Sequence, residues 1–254
     1  MNRFQKEGSF LKIQRYKHDA QTSFALGATL TYELLKNRPE TAVRVFVKST
    51  LTKTAAVTEL LSICSNRKIP VVTNDKAFNV LSSKGNCFVI GEFTKESRPL
   101  ERGNHIVLVN PSDAGNMGTI LRTAVGFGID QIAVIRPAVD FFDPKTIRAS
   151  MGAAFRVRVQ YFENIEAYRT AFPENQLFAF MLTASKPIQD IEIAEPYSLV
   201  FGNEATGLPE VFAGFCQSVV IPHSSGIDSL NLPIAAGIAM YEFTKEAWGR
   251  AKTE

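Results

Sequence analysis

The residues best equipped for chemistry lie in three blocks of the second half of the chain. In the first block, residues 110–124, Asn116, Gly118 and Arg122 fall as N-x-G-x-x-x-R where an apolar segment gives way to helical spacing. Gly115 and Asn116 at a helix start can leave backbone N–H groups free for an anion. Arg122, a turn or more further in, offers a planar fork to the same phosphate. The second block, residues 201–208, sets Gly202, Asn203, Glu204 and Gly207 just past an apolar strand, where α/β proteins build sites from exposed backbone. The third runs from Ile221-Pro222 to Ser229-Leu230-Asn231, with two polar side chains flanking Leu230 at the mouth of the last helix. Such groups can align reactants and stabilise developing charge.

Other chemistries lack their residues. The histidines are His18, His105 and His223, with no H-E-x-x-H and no facial carboxylate cluster, so metal catalysis is not expected. No G-x-G-x-x-G follows a strand and no P-loop is present. Each singled-out residue also has an ordinary reading. Gly202 and Gly207 suit turns, Ile221 and Leu230 suit a core, and Ser229 and Asn231 suit helix caps. Arg122 suits a solvated helix face. Glu204 either braces its loop by accepting backbone N–H bonds or faces solvent.

The elements that must position these blocks follow from periodicity. In the first half, residues 12–39 read as helical, with Leu26, Leu30, Leu34 and Leu35 at helical spacing. Strands are expected at 44–47, 69–72 and 86–91, with helices at 54–64 and 75–82. In the second half, strands are expected at 105–109, 131–135, 155–159, 177–182 and 197–201. Helices are expected at 117–127 and 233–248, and the stretch between residues 135 and 155 reads as a loop. Near-continuous apolar strands separated by helices mean a parallel sheet covered on both faces. Residues 99–104 read as a linker between a first domain, 1–98, and a second, 105–254.

The net charge of +3 hides a division. Residues 1–104 carry 17 Lys+Arg against 9 Asp+Glu, and residues 105–254 carry 11 against 16. A basic module joined to an acidic one suggests that the first meets a polyanion. Cys64, Cys87 and Cys216 are scattered, which suits reduced thiols in a cytosol. Residues 1–7 show no signal peptide, and the longest apolar stretches, such as 232–240, are too short to span a bilayer.

In this order the three blocks resemble the signature motifs of the SpoU/TrmH family of RNA ribose 2′-O-methyltransferases, of the SPOUT superfamily, across residues 105–245. The first half resembles the small ribosomal-protein-like α/β module that precedes many such domains, through element order and Lys68-Ile69-Pro70-Val71 followed by the strand from Asn86. The resemblance implies a C-terminal trefoil-knotted parallel-sheet domain behind a smaller α/β RNA-binding domain. It also implies S-adenosylmethionine as cofactor, ribosomal or transfer RNA as substrate, a cytoplasmic homodimer paired through the knot and final helix, and no membrane. Carried over residue by residue, Leu182 and Thr183, Gly202, Asn203, Glu204 and Gly207 form cofactor loops, and Ile221 and Leu230 sandwich the adenine. Asn116, Arg122, Ser229 and Asn231 form the catalytic set, and Lys145 and Arg148 contact RNA.

In the family the matching arginine is implicated in activating the hydroxyl, sometimes as a base. Arginine stays protonated in proteins, so Arg122 is read as a phosphate clamp and hydroxyl orienter. Two positions depart from the family pattern: Pro233 replaces a usual serine, and Ala114 stands where proline is common. Two other readings stay open, a catalytically silent RNA-binding assembly factor of the same fold and a knotted enzyme that methylates a base.

Overall fold

The computed structural model describes residues 13–82 and 85–250, with residues 248–250 described as backbone only. The expectations placed on residues 1–7, on Lys12 and on the Trp248 side chain lie outside it. The first half contains β1 (Thr22–Leu26), α1 (Ala28–Asn37), β2 (Ala42–Val47), α2 (Ala55–Asn66), β3 (Val71–Thr73), α3 (Asp75–Leu81) and β4 (Val89–Thr94). Its four strands lie in the order β1-β4-β2-β3, with β4 antiparallel to both neighbours and β2 parallel to β3.

The second half contains β5 (His105–Val109), α4 (Ala114–Gly126), β6 (Gln131–Ile135), α5 (Pro144–Ala149), β7 (Arg158–Phe162), α6 (Ile165–Ala171), β8 (Gln176–Phe180), β9 (Tyr197–Phe201), β10 (Gln217–Val219) and α7 (Leu232–Arg250). Its six strands are parallel throughout, in the order β10-β8-β9-β5-β6-β7. Every residue of β5, β6 and β9 is buried, which is why those segments read as unbroken apolar runs. Strands β6 and β7 add to one side of β5, and β9, β8 and β10 to the other. Such a reversal opens a crevice at the carboxyl ends of the strands.

Several elements differ from the sequence expectation. Residues 13–39 are not one helix: β1 pairs with β4, and Gly27, at φ 111°, turns the chain into α1. The leucine spacing continues across this break, so periodicity alone could not reveal it. The stretch after β6 is not all loop, because Asp143 caps α5 by accepting the N–H of Lys145, and Pro144 presets its first turn. Residues 155–157 form a turn and its exit, and the strand starts at Arg158.

The two halves share one core. Ala25, Leu30, Leu34 and Phe93 of the first sheet layer belong to the same buried cluster as Ile147, Phe155 and Met117. Phe93 meets the Phe155 ring edge-on at a centroid distance of 5.2 Å. Polar contacts reinforce the junction. Ser23 Oγ donates to Phe142 O at 2.5 Å, and Arg156 pairs with Glu33 at 2.7 Å. Asp140 accepts from the Tyr16 hydroxyl and pairs with Lys95 at 3.3 Å. The polar connection is itself fastened, since Leu100 is buried and its N–H donates to Gln160 Oε1.

Helix α4 lies hard against α5. A Cβ added at Gly118 would stand 2.4 Å from Ala149 Cβ, 2.7 Å from Thr146 O and 2.8 Å from Ser150 N. Two of these are backbone atoms that cannot swing aside. Gly118→Ala is therefore expected to cost about 1–3 kcal/mol of stability, measured as a lower urea midpoint at unchanged slope.

Candidate active site

Four neighbouring strands, β10, β8, β9 and β5, end on one side of the sheet, and the segments leaving three of them enclose a cavity of about 230 Å³. Leu182 enters it from beyond β8. Gly202, Asn203, Glu204 and Gly207 enter from beyond β9. Ile221, Ser229 and Leu230 enter from the long segment between β10 and α7. Eight of the residues singled out in the sequence thus line one cavity, although the chain separates them by up to 48 positions. Thr183 does not line it, because β8 ends at Phe180 and Thr183 lies in an exposed turn.

The second block is a tight hairpin. Gly207 N donates to Asn203 O at 2.9 Å, and Asn203 Oδ1 accepts from the N–H groups of Ala205 and Thr206. Gly207 sits at φ 66°, where glycine carries no penalty. At Gly202, a Cβ would lie 2.2 Å from Gly207 C and 2.5 Å from Leu208 N. The glycine is thus required by the hairpin's own return strand, not only by a ligand.

Glu204 ties the second block to the first. Its carboxylate accepts from Ser112 N at 3.1 Å, Ser112 Oγ at 2.7 Å, Asp113 N at 3.2 Å and Asn116 Nδ2 at 3.3 Å. Asn203 Nδ2 adds a bond to Asn110 O at 2.8 Å. Partial burial favours the neutral acid, but the Ser112 and Asn116 bonds outweigh it and hold the Glu204 pKa below its ordinary value of 4.5. A depressed folded pKa means that the clamp's contribution is complete above the unfolded value and is lost as pH falls through the folded one. Glu204→Gln is expected to speed amide exchange at Ser112 and Asp113 about tenfold at neutral pH. The difference from wild type should fade below the glutamate range.

Asn116 reaches the cavity only through Glu204. Its backbone N–H, expected to be free for an anion, is instead bonded to the capping Asp113 Oδ1 at 2.7 Å. Arg122 is exposed on α4 and does not line the cavity of its own chain. Asn231 is also exposed, and its carbonyl accepts the first N–H bonds of α7, from Ile234 and Ala235, both at 3.0 Å. Pro233, buried in that first turn, occupies a position where its missing N–H costs nothing. Lys145 and Arg148 lie on α5. Lys145 is exposed, while Arg148 borders a cleft between the halves with Gly27, Ala28 and Met151.

Further lining residues carry no polar motif. Phe180 and Phe201, the last residues of adjacent strands, stack at 4.7 Å and 13° beneath the cavity. Leu232 and Ala235 close it from α7, and His223 stands at its rim. Strand-end position was the one sequence signal for the two phenylalanines. An apolar slot with backbone along one side suits a flat heterocycle with a polar tail. Leu182, left 61% exposed at the mouth, fits an apolar wall awaiting a ligand face.

Comparison with known proteins agrees with this arrangement. The model of the SpoU rRNA Methylase family matches residues 103–241. An uncharacterized tRNA/rRNA methyltransferase of Synechocystis is 32% identical over 146 residues, covering 56% of this chain and 53% of that protein. The 23S rRNA (uridine(2479)-2′-O)-methyltransferase of Streptomyces viridochromogenes is 30% identical over 149 residues, covering 56% and 52%. The chain spans about half the length of these curated relatives. The crystal structure of an AdoMet-bound rRNA methyltransferase from Sinorhizobium meliloti superposes with a TM-score of 0.77 at 27% identity, covering 89% of this chain and 88% of that one. The family model covers more than half of the chain, and the chain belongs to the SpoU rRNA methylase family.

Proposed function

We propose that this protein is an S-adenosylmethionine-dependent RNA methyltransferase that modifies a ribose 2′-hydroxyl of ribosomal or transfer RNA. The observation that carries the reading is the single cavity built by the strand-end segments of β8, β9 and β10. Its residues fit the cofactor. Ile221 and Leu230 offer apolar faces to the adenine, the Gly202–Gly207 hairpin offers backbone groups, and Leu182 flanks the entrance. When bound, S-adenosylmethionine supplies a methyl group already activated on a sulfonium. The chain's own residues then have to place the ribose oxygen in line and shield developing charge.

Arg122 is assigned to the RNA phosphate and hydroxyl, with Asn116, Ser229 and Asn231 holding the surrounding segments. A homodimer brings it into play. On α7, Ile234, Ile238 and Tyr241 are 56%, 38% and 57% exposed along one face, while Ala236, Met240 and Phe243 bury the other. Helix α7 also borders the cavity and packs on α4, the helix that carries Arg122. Pairing through that apolar face and a trefoil knot would set the partner subunit's Arg122 beside each cavity.

We assign residues 1–98 to an RNA-binding domain, 99–104 to the connection and 105–254 to the methyltransferase domain. The basic first half, Lys145 and Arg148 together suit a phosphate backbone. Three free thiols suit a cytoplasmic setting, and among the described residues no helix is long and apolar enough to cross a membrane. The test is incubation of the purified protein with labelled S-adenosylmethionine and total RNA, followed by nucleoside analysis. Label in 2′-O-methylnucleosides is expected. Label in a base would make the enzyme a base methylase, and donor binding with no transfer to any RNA would leave an assembly factor.

A further inference from the structure

We propose that His223 accepts the proton of the ribose 2′-hydroxyl, an inference that rests on the methyltransferase reading above. A hydroxyl attacking an activated methyl must lose its proton, and a positioned acceptor lowers that barrier. Arginine cannot serve, because it stays protonated, and Arg122 stands outside its own chain's cavity. Among the side chains lining the cavity, those with an accepting atom strong enough are Glu204 and His223. The two oxygens of Glu204 are already engaged by Ser112, Asp113 and Asn116. They brace the loops and have little basicity to spare.

The geometry of His223 selects one tautomer. Its Nδ1 lies 2.9 Å from Ile221 O, and a carbonyl oxygen only accepts, so Nδ1 carries the hydrogen. In the neutral ring the lone pair is then on Nε2, which has no protein partner among the described residues. The same contact fixes the ring to Ile221, the residue assigned to the adenine, so the acceptor is tied to the cofactor wall. The imidazole is also exposed at the rim, where an RNA ribose would arrive.

The step balances without any further reagent. The ribose oxygen takes the methyl, the electron pair of the broken carbon–sulfur bond stays on sulfur, and Nε2 takes the proton. One positive charge leaves sulfur and one appears on the imidazole, which then releases its proton to water. Of the charged side chains, Glu204 lines the same cavity from the facing hairpin, and Asp228 lies on the ring's own segment. The ends of β8 and β10 and the start of α7 contribute apolar residues to the cavity.

The test uses full-length protein with His223→Gln and His223→Asn. Single-turnover transfer is expected to fall about 10²–10⁴-fold, while calorimetric affinity for S-adenosylmethionine stays within about twofold. Nitrogen NMR of the ring should show Nδ1 protonated and Nε2 bare in the neutral form, whether or not turnover occurs. Near-native transfer by both variants, a fall in donor affinity that matches the fall in rate, or the opposite tautomer would each overturn the proposal. A wild-type chain that binds no donor would instead sink the methyltransferase reading itself.

Discussion

Arg122→Ala is expected to slow methyl transfer about 10²–10³-fold, the loss typical of removing one preorganised charge-stabilising donor. Donor affinity and thermal midpoint should stay at wild-type values, because the side chain is exposed and lies outside its own chain's cavity. Near-native turnover would dismiss the assignment. A mixing experiment then asks which cavity the arginine serves. Combine Arg122→Ala subunits with Gly202→Ala subunits, each impaired alone, at a donor concentration too low to fill the Gly202→Ala cavity. If the guanidinium acts across a dimer, each mixed pair has one intact site and activity returns. If it acts within its own chain, no mixed pair has an intact site and the mixture stays silent.

Gly202→Ala should weaken donor binding for a different reason. The new methyl would meet Gly207 C at 2.2 Å, Gly207 O at 2.3 Å and Leu208 N at 2.5 Å, all main-chain atoms of the hairpin that lines the cavity. Relief requires opening the Asn203–Gly207 bond and with it the web around Glu204. An overpacking cost of about 1–3 kcal/mol would fall on that loop, enough to weaken S-adenosylmethionine about tenfold to hundredfold in calorimetry. Gly207→Ala makes a useful contrast. Nothing lies within 4 Å of its added Cβ, so its loss should be limited to holding φ at 66°, about 1–2 kcal/mol. Equal losses in the two variants would show that backbone conformation, not crowding, dominates.

What could be read from the residues depended on whether local signals and tertiary pairing agreed. β5, β6 and β9 are buried at every position, and their apolar runs announced them. The cavity was legible because glycine, asparagine and serine marked where strands stop, and Gly202, Asn203, Gly207 and Ser229 do line it. The web on Glu204 was only half legible. A carboxylate near glycines suggested bracing, but its donors Ser112 and Asp113 lie more than 90 positions away. β1 was hidden because Leu26, Leu30 and Leu34 keep helical spacing through a strand, a glycine and a helix. α5 was hidden because it is only six residues long, too short for periodicity, although Asp143-Pro144 was a start signal. Thr183 lies off the cavity because β8 ends at Phe180 and the chain then turns, a boundary that periodicity fixes only to within a residue or two. No reading of one chain could say where Arg122 acts, since its neighbours within that chain leave it in solvent.

The fused core has an evolutionary corollary. Cutting at residue 104 and grafting a foreign recognition module would strip Phe142, Ile147 and Phe155 of the cover that Leu30, Leu34 and Phe93 now give them. Chimeras that ignore this seam should precipitate, whereas grafts carrying the matching α1 and β4 faces should not. Retargeting such a protein to a new transcript would therefore proceed more readily by resurfacing the existing module than by swapping it.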